Sequence, residues 1–185
     1  YWYPVGVGTT YHYDLCIKAY ANEMFNISGT VTYADTLDTA LENVKLYVMN
    51  ADSCCIDSTM SAADGSYVFS GLRSGDYQVK LSMELDWGGV NSTDALAAKL
   101  HYENVPGFTL EGLALLAADV NGDSVVDSLD ADLIQQRSIQ LVDDFQASDW
   151  ILNDNMVTIS GTDAVMDVQV LFRGDVNTSR FWDGN

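Results

Sequence analysis

Phe25-Asn-Ile-Ser-Gly-Thr-Val-Thr-Tyr33 places an apolar side chain at every second position around a central glycine, the period of a strand with one buried face. The alternation returns in Val44-Lys-Leu-Tyr-Val48, Tyr67-Val-Phe69 and Tyr77-Gln-Val-Lys-Leu81, each bounded by Gly, Asp, Asn or Ser. Short strands at this spacing, from Met24 to Met83, predict a β-sandwich. Asp64-Gly65 is a turn dipeptide, and Tyr67 and Phe69 beyond it pack one face of a sheet. Further along, Trp150-Ile-Leu, Met156-Val-Thr-Ile-Ser160 and Val165-Met-Asp-Val-Gln-Val-Leu-Phe172 read as strands again. The expected class is mainly β.

The chain has 185 residues, 48% hydrophobic and 11% aromatic, which excludes a disordered polymer. Its net charge of −19 repels phosphate backbones and anionic lipid surfaces, so nucleic acid is not an expected partner. No apolar run approaches the ~20 residues of a membrane helix, and no membrane insertion is expected. It begins at Tyr1 with no initiator Met or signal peptide, as a processed or trimmed chain would. His12 and His101 sit in no nucleophile motif, and no Gly-x-Ser-x-Gly, phosphate loop or His-Glu-x-x-His occurs. Asp143 and Asp144 are adjacent carboxylates in a polar loop. No catalysis is expected.

Between the two groups of strands lies Asp119-Val-Asn-Gly-Asp-Ser-Val-Val-Asp-Ser-Leu-Asp130. Asp119, Asn121, Asp123, Asp127 and Asp130 occupy positions 1, 3, 5, 9 and 12 of a calcium-binding turn, and Val125 offers its carbonyl at position 7. Ca²⁺ takes six to eight oxygen ligands in a flexible shell, which alternate residues of a curled loop supply. Ser124 replaces the customary glycine and Asp130 the customary Glu, and neither change removes a ligand. The alternative is an acidic surface turn. Val90-Asn-Ser-Thr-Asp-Ala-Leu-Ala-Ala-Lys-Leu100 aligns with Val126-Asp-Ser-Leu-Asp-Ala-Asp-Leu-Ile-Gln-Gln136, so a loop end and helix start are duplicated. Ser92 and Ser128 are the expected N-caps, and Leu96, Leu100, Leu133 and Ile134 the expected packing faces. In the first copy Asn91 and Asp94 match positions 9 and 12, but positions 1, 3 and 5 fall on Met83, Leu85 and Trp87. Glu84 or Asp86 could substitute, or that site is empty. Asp175-Val-Asn-Thr-Ser179 repeats the opening of the good loop. With Asn91 and Asp94, the residues Asp175, Asn177 and Ser179 form a second candidate metal site, across the fold or between chains. An Asx-type turn is the alternative there.

Ser28-Gly-Thr-Val-Thr-Tyr33, Leu41-Glu-Asn-Val-Lys-Leu-Tyr-Val48, Ala63-Asp-Gly-Ser-Tyr-Val-Phe69 and Gly71-Leu-Arg-Ser-Gly-Asp-Tyr-Gln-Val79 resemble the prealbumin-like sandwich modules called carboxypeptidase-regulatory-like or collagen-adhesin B-type domains. That likeness implies an Ig/prealbumin-like sandwich used as a spacer, stalk or adhesin. The duplicated loop-helix resembles a divergent type I dockerin, an EF-hand-like pair from cellulosomes and exported bacterial proteins, and implies Ca²⁺ and a cohesin-like partner. The expected organisation is an arm at 1–23, a sandwich at 24–84, a dockerin-like calcium loop-helix pair at 85–140, and trailing strands at 141–185 packed on the preceding unit.

The arm carries Tyr1, Trp2, Tyr3, Tyr11 and Tyr13 around Gly-Val-Gly. It reads as an extra edge strand of its own sheet, or as a strand exchanged with a neighbouring copy to build a homo-oligomer or filament. Cys16 could bond Cys54 or Cys55, and all three could equally be small buried apolar residues. Thr36, Thr39 and Ser58 follow Asp in triplets that resemble a bacterial O-glycosylation acceptor, and Asn26 and Asn177 open N-x-Ser sequons. Trp87 and Trp150 are candidates for carbohydrate contact. Together these point to a non-catalytic, calcium-stabilised structural module at a bacterial cell surface or outside the cell, with a cohesin-anchoring dockerin module as the alternative.

Overall fold

The computed structural model describes residues 23–83 and 88–180. Two sheets face each other. The first pairs β4 (Ser66–Leu72), β1 (Phe25–Tyr33), β9 (Val168–Phe172) and β6 (Trp150–Leu152) in that order, with β8 (Ala164–Val165) also on β1. The second runs β3 (Cys55–Met60), β2 (Lys45–Asn50), β5 (Gly75–Ser82), β7 (Met156–Ile159). The period-2 residues of β1 do what their spacing predicts: Ile27, Val31 and Tyr33 are fully buried against Leu46, Val48, Phe69 and Val79. Tyr67 and Phe69 meet edge to face at 5.7 Å between centroids, a favoured aromatic geometry.

β8 and β9 are one interrupted strand running parallel to β1, with Ile27 opposite Ala164 and Val31 opposite Val168. At the break, Asp167 turns its carboxylate to the Thr30 amide and hydroxyl, each at 2.9 Å. The strands that close the chain are therefore integral to the sandwich, with β9 between β1 and β6.

Three helices occupy the crossover between β5 and β6: α1 (Ser92–Tyr102), α2 (Gly112–Ala118) and α3 (Ser128–Ser138). The α1 and α3 helices pack on each other through Ala95, Ala98, Ala131 and Ile134, which form a second core with Val90, Val120, Phe145 and Val176. Leu96 was expected in that contact and instead stands half exposed, because the small Ala side chains bring the helix backbones close. The short α2 sits between the cores: Ala117 belongs to the sandwich core and Ala118 to that of the helix pair. Arg137 of α3 is buried, bonds Asp149 at 2.6 Å and stacks over Phe145 at 4.3 Å, which ties α3 to the segment leading into β6. No helix among the described residues is long and apolar enough to cross a membrane.

Candidate metal-binding loops

α1 and α3 begin alike. Asn91 and Asp127, not the following serines, are the N-caps, and each is in extended conformation with its side chain accepting from the residue two further on. Asp94 and Asp130 complete reciprocal capping boxes, returning a carboxylate oxygen to the cap amide at 2.8 and 3.0 Å. Sequence spacing put the caps one residue too late, at the serines, because Asn and Asp cap as well as Ser.

Around α3 the contiguous loop curls over this cap. Asp119 Oδ1 accepts from the Gly122 amide at 2.8 Å, and Oδ2 from the Ser124 amide at 3.1 Å. Asn121 Oδ1 accepts from Asp123 N–H at 2.8 Å. Asp130 Oδ1 takes the Val120 and Asn121 amides at 3.0 and 3.3 Å. Gly122 and Ser124 have φ of 78° and 69°, so Ser124 adopts the left-handed turn that glycine usually supplies.

Around α1 the same pattern is assembled from two distant pieces of one chain. Asp175 Oδ1 accepts from the Ser179 amide at 2.9 Å and Oδ2 from the Arg180 amide at 3.2 Å. Asn177 Oδ1 takes Ser179 N–H at 3.0 Å, and Thr178 at the turn has φ 56°. The Asn177 amide then crosses to Asp94 Oδ1 at 2.8 Å, as Asn121 does to Asp130. Asn91 Nδ2 reaches Ser179 Oγ at 3.0 Å. The structure thus brings Asn91, Asp94, Asp175, Asn177 and Ser179 together within a single chain. Glu84, Leu85, Asp86 and Trp87 lie outside the described residues; Met83 stands at the end of the sandwich segment and packs against its core.

Asp94, Asp130 and Asp175 are all 0% exposed. Burial pushes the Asp94 carboxyl up to about 7, and the nearby Asp175 adds to the shift against backbone amides that lower it. Burial likewise raises Asp130 and Asp175. The ion pairs of the described residues engage Glu103, Asp144 and Asp149, not Asp94 or Asp130. Among the described residues no three His, Cys, Asp or Glu side chains form a closed metal-holding group. The match to a hard cation lies in the donor set, which in both loops consists only of carboxylate, amide, hydroxyl and main-chain oxygens.

Two residues outside the loop motifs themselves hold the loops to the sandwich. Arg173, just past β9, donates through Nη1 to the carbonyls of Leu116 (3.0 Å) and Asp119, and through Nε to Ser148 O at 2.7 Å. Tyr33, the last residue of β1, donates its hydroxyl to Asp175 Oδ2 at 2.5 Å. Neither is adjacent in sequence to the loop it serves, so no local spacing could reveal it.

The other candidates are dispersed. Cys54 and Cys55 are exposed thiols beside and on β3; Cys16 and the aromatic arm lie outside the described residues, and with them the pairing and strand-exchange expectations. Thr36 and Ser58 are exposed, whereas the Thr39 hydroxyl donates to Asp35 at 2.5 Å. His101 Nδ1 accepts from the Leu110 amide at 3.0 Å, Asp144 lies 4.0 Å from Arg137, and Trp150 stacks on Phe172 at 4.0 Å between centroids. His12 and Trp87 are outside the described residues.

Compared with known proteins, residues 26–85 match the family model of the carboxypeptidase regulatory-like domain and residues 88–137 that of the dockerin type I domain. The chain joins a sandwich of the first kind to a loop-helix pair of the second. No curated protein matches it. Among solved structures it is similar to the Bacillus anthracis TIE protein (TM-score 0.39, 10% identity, 80% of this chain and 17% of that one). It is also similar to BcpA, the major pilin subunit of Bacillus cereus (0.32, 13%, 35% and 20%), and to the group B streptococcus pilus 2b backbone protein (0.27, 16%, 31% and 26%). The chain spans under a third of the length of each of these proteins.

Proposed function

We propose that this chain is a non-catalytic, extracellular, calcium-stabilised structural module that serves as a subunit of a bacterial cell-surface or fibre-like assembly. The observation that carries the reading is the complete burial of Asp94, Asp130 and Asp175 among hard oxygen donors at the heads of two packed helices. Buried carboxylates are costly unless paired or bound to metal. Asp119, Asn121, Asp123, Asp127 and Asp130 with the Val125 carbonyl would hold one ion; Asp175, Asn177, Ser179, Asn91 and Asp94 would hold a second. A bound Ca²⁺ supplies two positive charges where these side chains bring only negative ones. The match of residues 88–137 to the dockerin type I domain supports calcium as the ion, and weak sites of this class belong mostly to extracellular modules.

Because only the folded loops present these donors together, binding adds to folding stability. At a hundredfold excess over Kd each ion contributes about 2.7 kcal/mol, or about 5–10 °C in melting temperature for a chain of this size. Thermal melting in calcium and in chelator tests this, with calorimetric titration for the number of ions. An unchanged melting temperature overturns the calcium reading. Light scattering and electron microscopy of the full chain, and of one lacking residues 1–16, test the assembly: fibres that need the arm are expected, and a monomer in both samples overturns it.

A second reading is favoured by Leu96 and Leu129, which stand 50% and 51% exposed on the paired helices. As a dockerin-type binding module the chain would dock that face on a cohesin-like receptor and anchor an attached enzyme. A chain that stays monomeric and binds immobilised cohesin supports this reading over the first.

A further inference from the structure

The two loops differ in what keeps their halves together. In the Asp119 loop one unbroken segment runs from the first candidate ligand to the helix cap, so covalent continuity fixes Asp119 relative to Asp130. In the other loop that continuity is absent: Asp175, Asn177 and Ser179 arrive from the end of β9, while Asn91 and Asp94 belong to α1. The crossing bonds from Asn177 to Asp94 and from Asn91 to Ser179 align the two pieces. Asp175 itself makes no such bond to α1; its carboxylate is held by the Ser179 and Arg180 amides and by Tyr33.

Tyr33 is unusual among the tyrosines of this sandwich. Tyr67 and Tyr77 give their hydroxyls to backbone carbonyls, of Met166 at 2.6 Å and Arg73 at 2.9 Å. Tyr33 gives its own to a carboxylate and accepts a long bond from the Phe172 amide at 3.4 Å. It is 0% exposed in the sandwich core, so its ring cannot swing away. A neutral hydroxyl fixes the carboxylate's rotation and leaves its charge free to meet a cation. The Arg180 guanidinium lies over the Phe172 ring at 4.6 Å, and the Arg180 amide donates to Asp175 Oδ2 beside the Tyr33 hydroxyl.

We infer that Tyr33 is a positioning residue for the second ion, and that this ion is a clasp joining the sandwich to the helix pair. The inference rests on the calcium reading given above. Outer hydrogen-bond partners of metal ligands characteristically alter affinity by roughly 10–100-fold. Tyr33→Phe therefore weakens the second ion by that factor and leaves the Asp119 loop unchanged.

The test is calorimetric calcium titration of the full chain, of Tyr33→Phe, and of each combined with Asp123→Ala, which weakens the contiguous loop and isolates the split one. Tyr67→Phe is the matched control, because it deletes a buried hydroxyl of the same sandwich away from both loops. The expected result is two ions in the wild type, a weakened second ion in Tyr33→Phe, and unchanged affinities in Tyr67→Phe. Two ions with unaltered affinity in Tyr33→Phe overturn the role of Tyr33 alone, and equal weakening in Tyr67→Phe reduces it to general stability. A wild type with fewer than two ions overturns the calcium reading of the split loop. Should Tyr33→Phe fail to fold, hydrogen exchange of the wild type decides: calcium is expected to slow the amides of Val168–Phe172 at least tenfold, and no slowing overturns the clasp.

Discussion

At Gly29 an added Cβ would lie 1.9 Å from the Met166 carbonyl oxygen and 2.5 Å from its carbon, both backbone atoms of the interrupted strand beside β1. Neither can yield without separating β8 from β1. At Gly71 the backbone is left-handed, φ +74°, but a Cβ would meet only the Met24 sulfur at 3.8 Å. Gly29→Ala is therefore expected to cost more than about 3 kcal/mol in urea unfolding, the range of severe core disruptions. Gly71→Ala should cost about 1–2 kcal/mol, the strain of a left-handed residue. Equal losses at the two positions would refute the close-approach argument. Gly29 reads in sequence as a gap in an alternating strand, a known sign of close backbone approach, but not of which backbone approaches. The same limit applies to Asp130. Its place at position 12 was legible, and its complete burial was not.

The helix pair was readable as a repeat, since the residues from Val90 and from Val126 align without a gap. What joins the helices was not. Leu96, Leu100, Leu133 and Ile134 were the natural choice for the seam, yet Ala95, Ala98 and Ala131 form it with Ile134, Leu133 packs against it, and Leu96 is half exposed. Helical spacing assigns a face only when its apolar residues outweigh their neighbours, and α1 has small apolar residues on more than one side. Ala98, at 0% exposure, leaves no room for a larger group. Ala98→Leu is expected to destabilise by about 1–3 kcal/mol through overpacking. Leu96→Ser should change stability by less than about 0.5 kcal/mol, as at exposed sites generally. Thermal melting in saturating calcium measures both, and a larger loss at Leu96 would place it in the seam after all. The capping residues follow the same logic: Asn91→Ala and Asp127→Ala should each cost about 0.5–2 kcal/mol, even in chelator.

For the molecule as a whole, the decisive fact is that β9 lies between β1 and β6, although the helices separate it from β1 in sequence. A chain ending at residue 140 keeps the dockerin-type match and the first five strands but loses the neighbour of β1 and the segment that completes the split loop. We expect it to lack a cooperative melting transition and to bind a hydrophobic dye. A sharp transition would show that the residues up to 140 fold cooperatively without β6 to β9. Sequence alone determined the strand periods, the mainly β class, the contiguous Asp119–Asp130 loop and the duplicated helix start. Each is written in side-chain spacing within a dozen or so neighbouring residues. The repeated opening motif already grouped Asp175, Asn177 and Ser179 with Asn91 and Asp94; the tertiary structure alone decided that they meet within one chain, that Tyr33 secures Asp175, and that Leu96 is left half exposed. These depend on which distant segments share a sheet edge or a helix end. A period of two or of 3.6 residues fixes a face of an element but carries no record of the element it will meet.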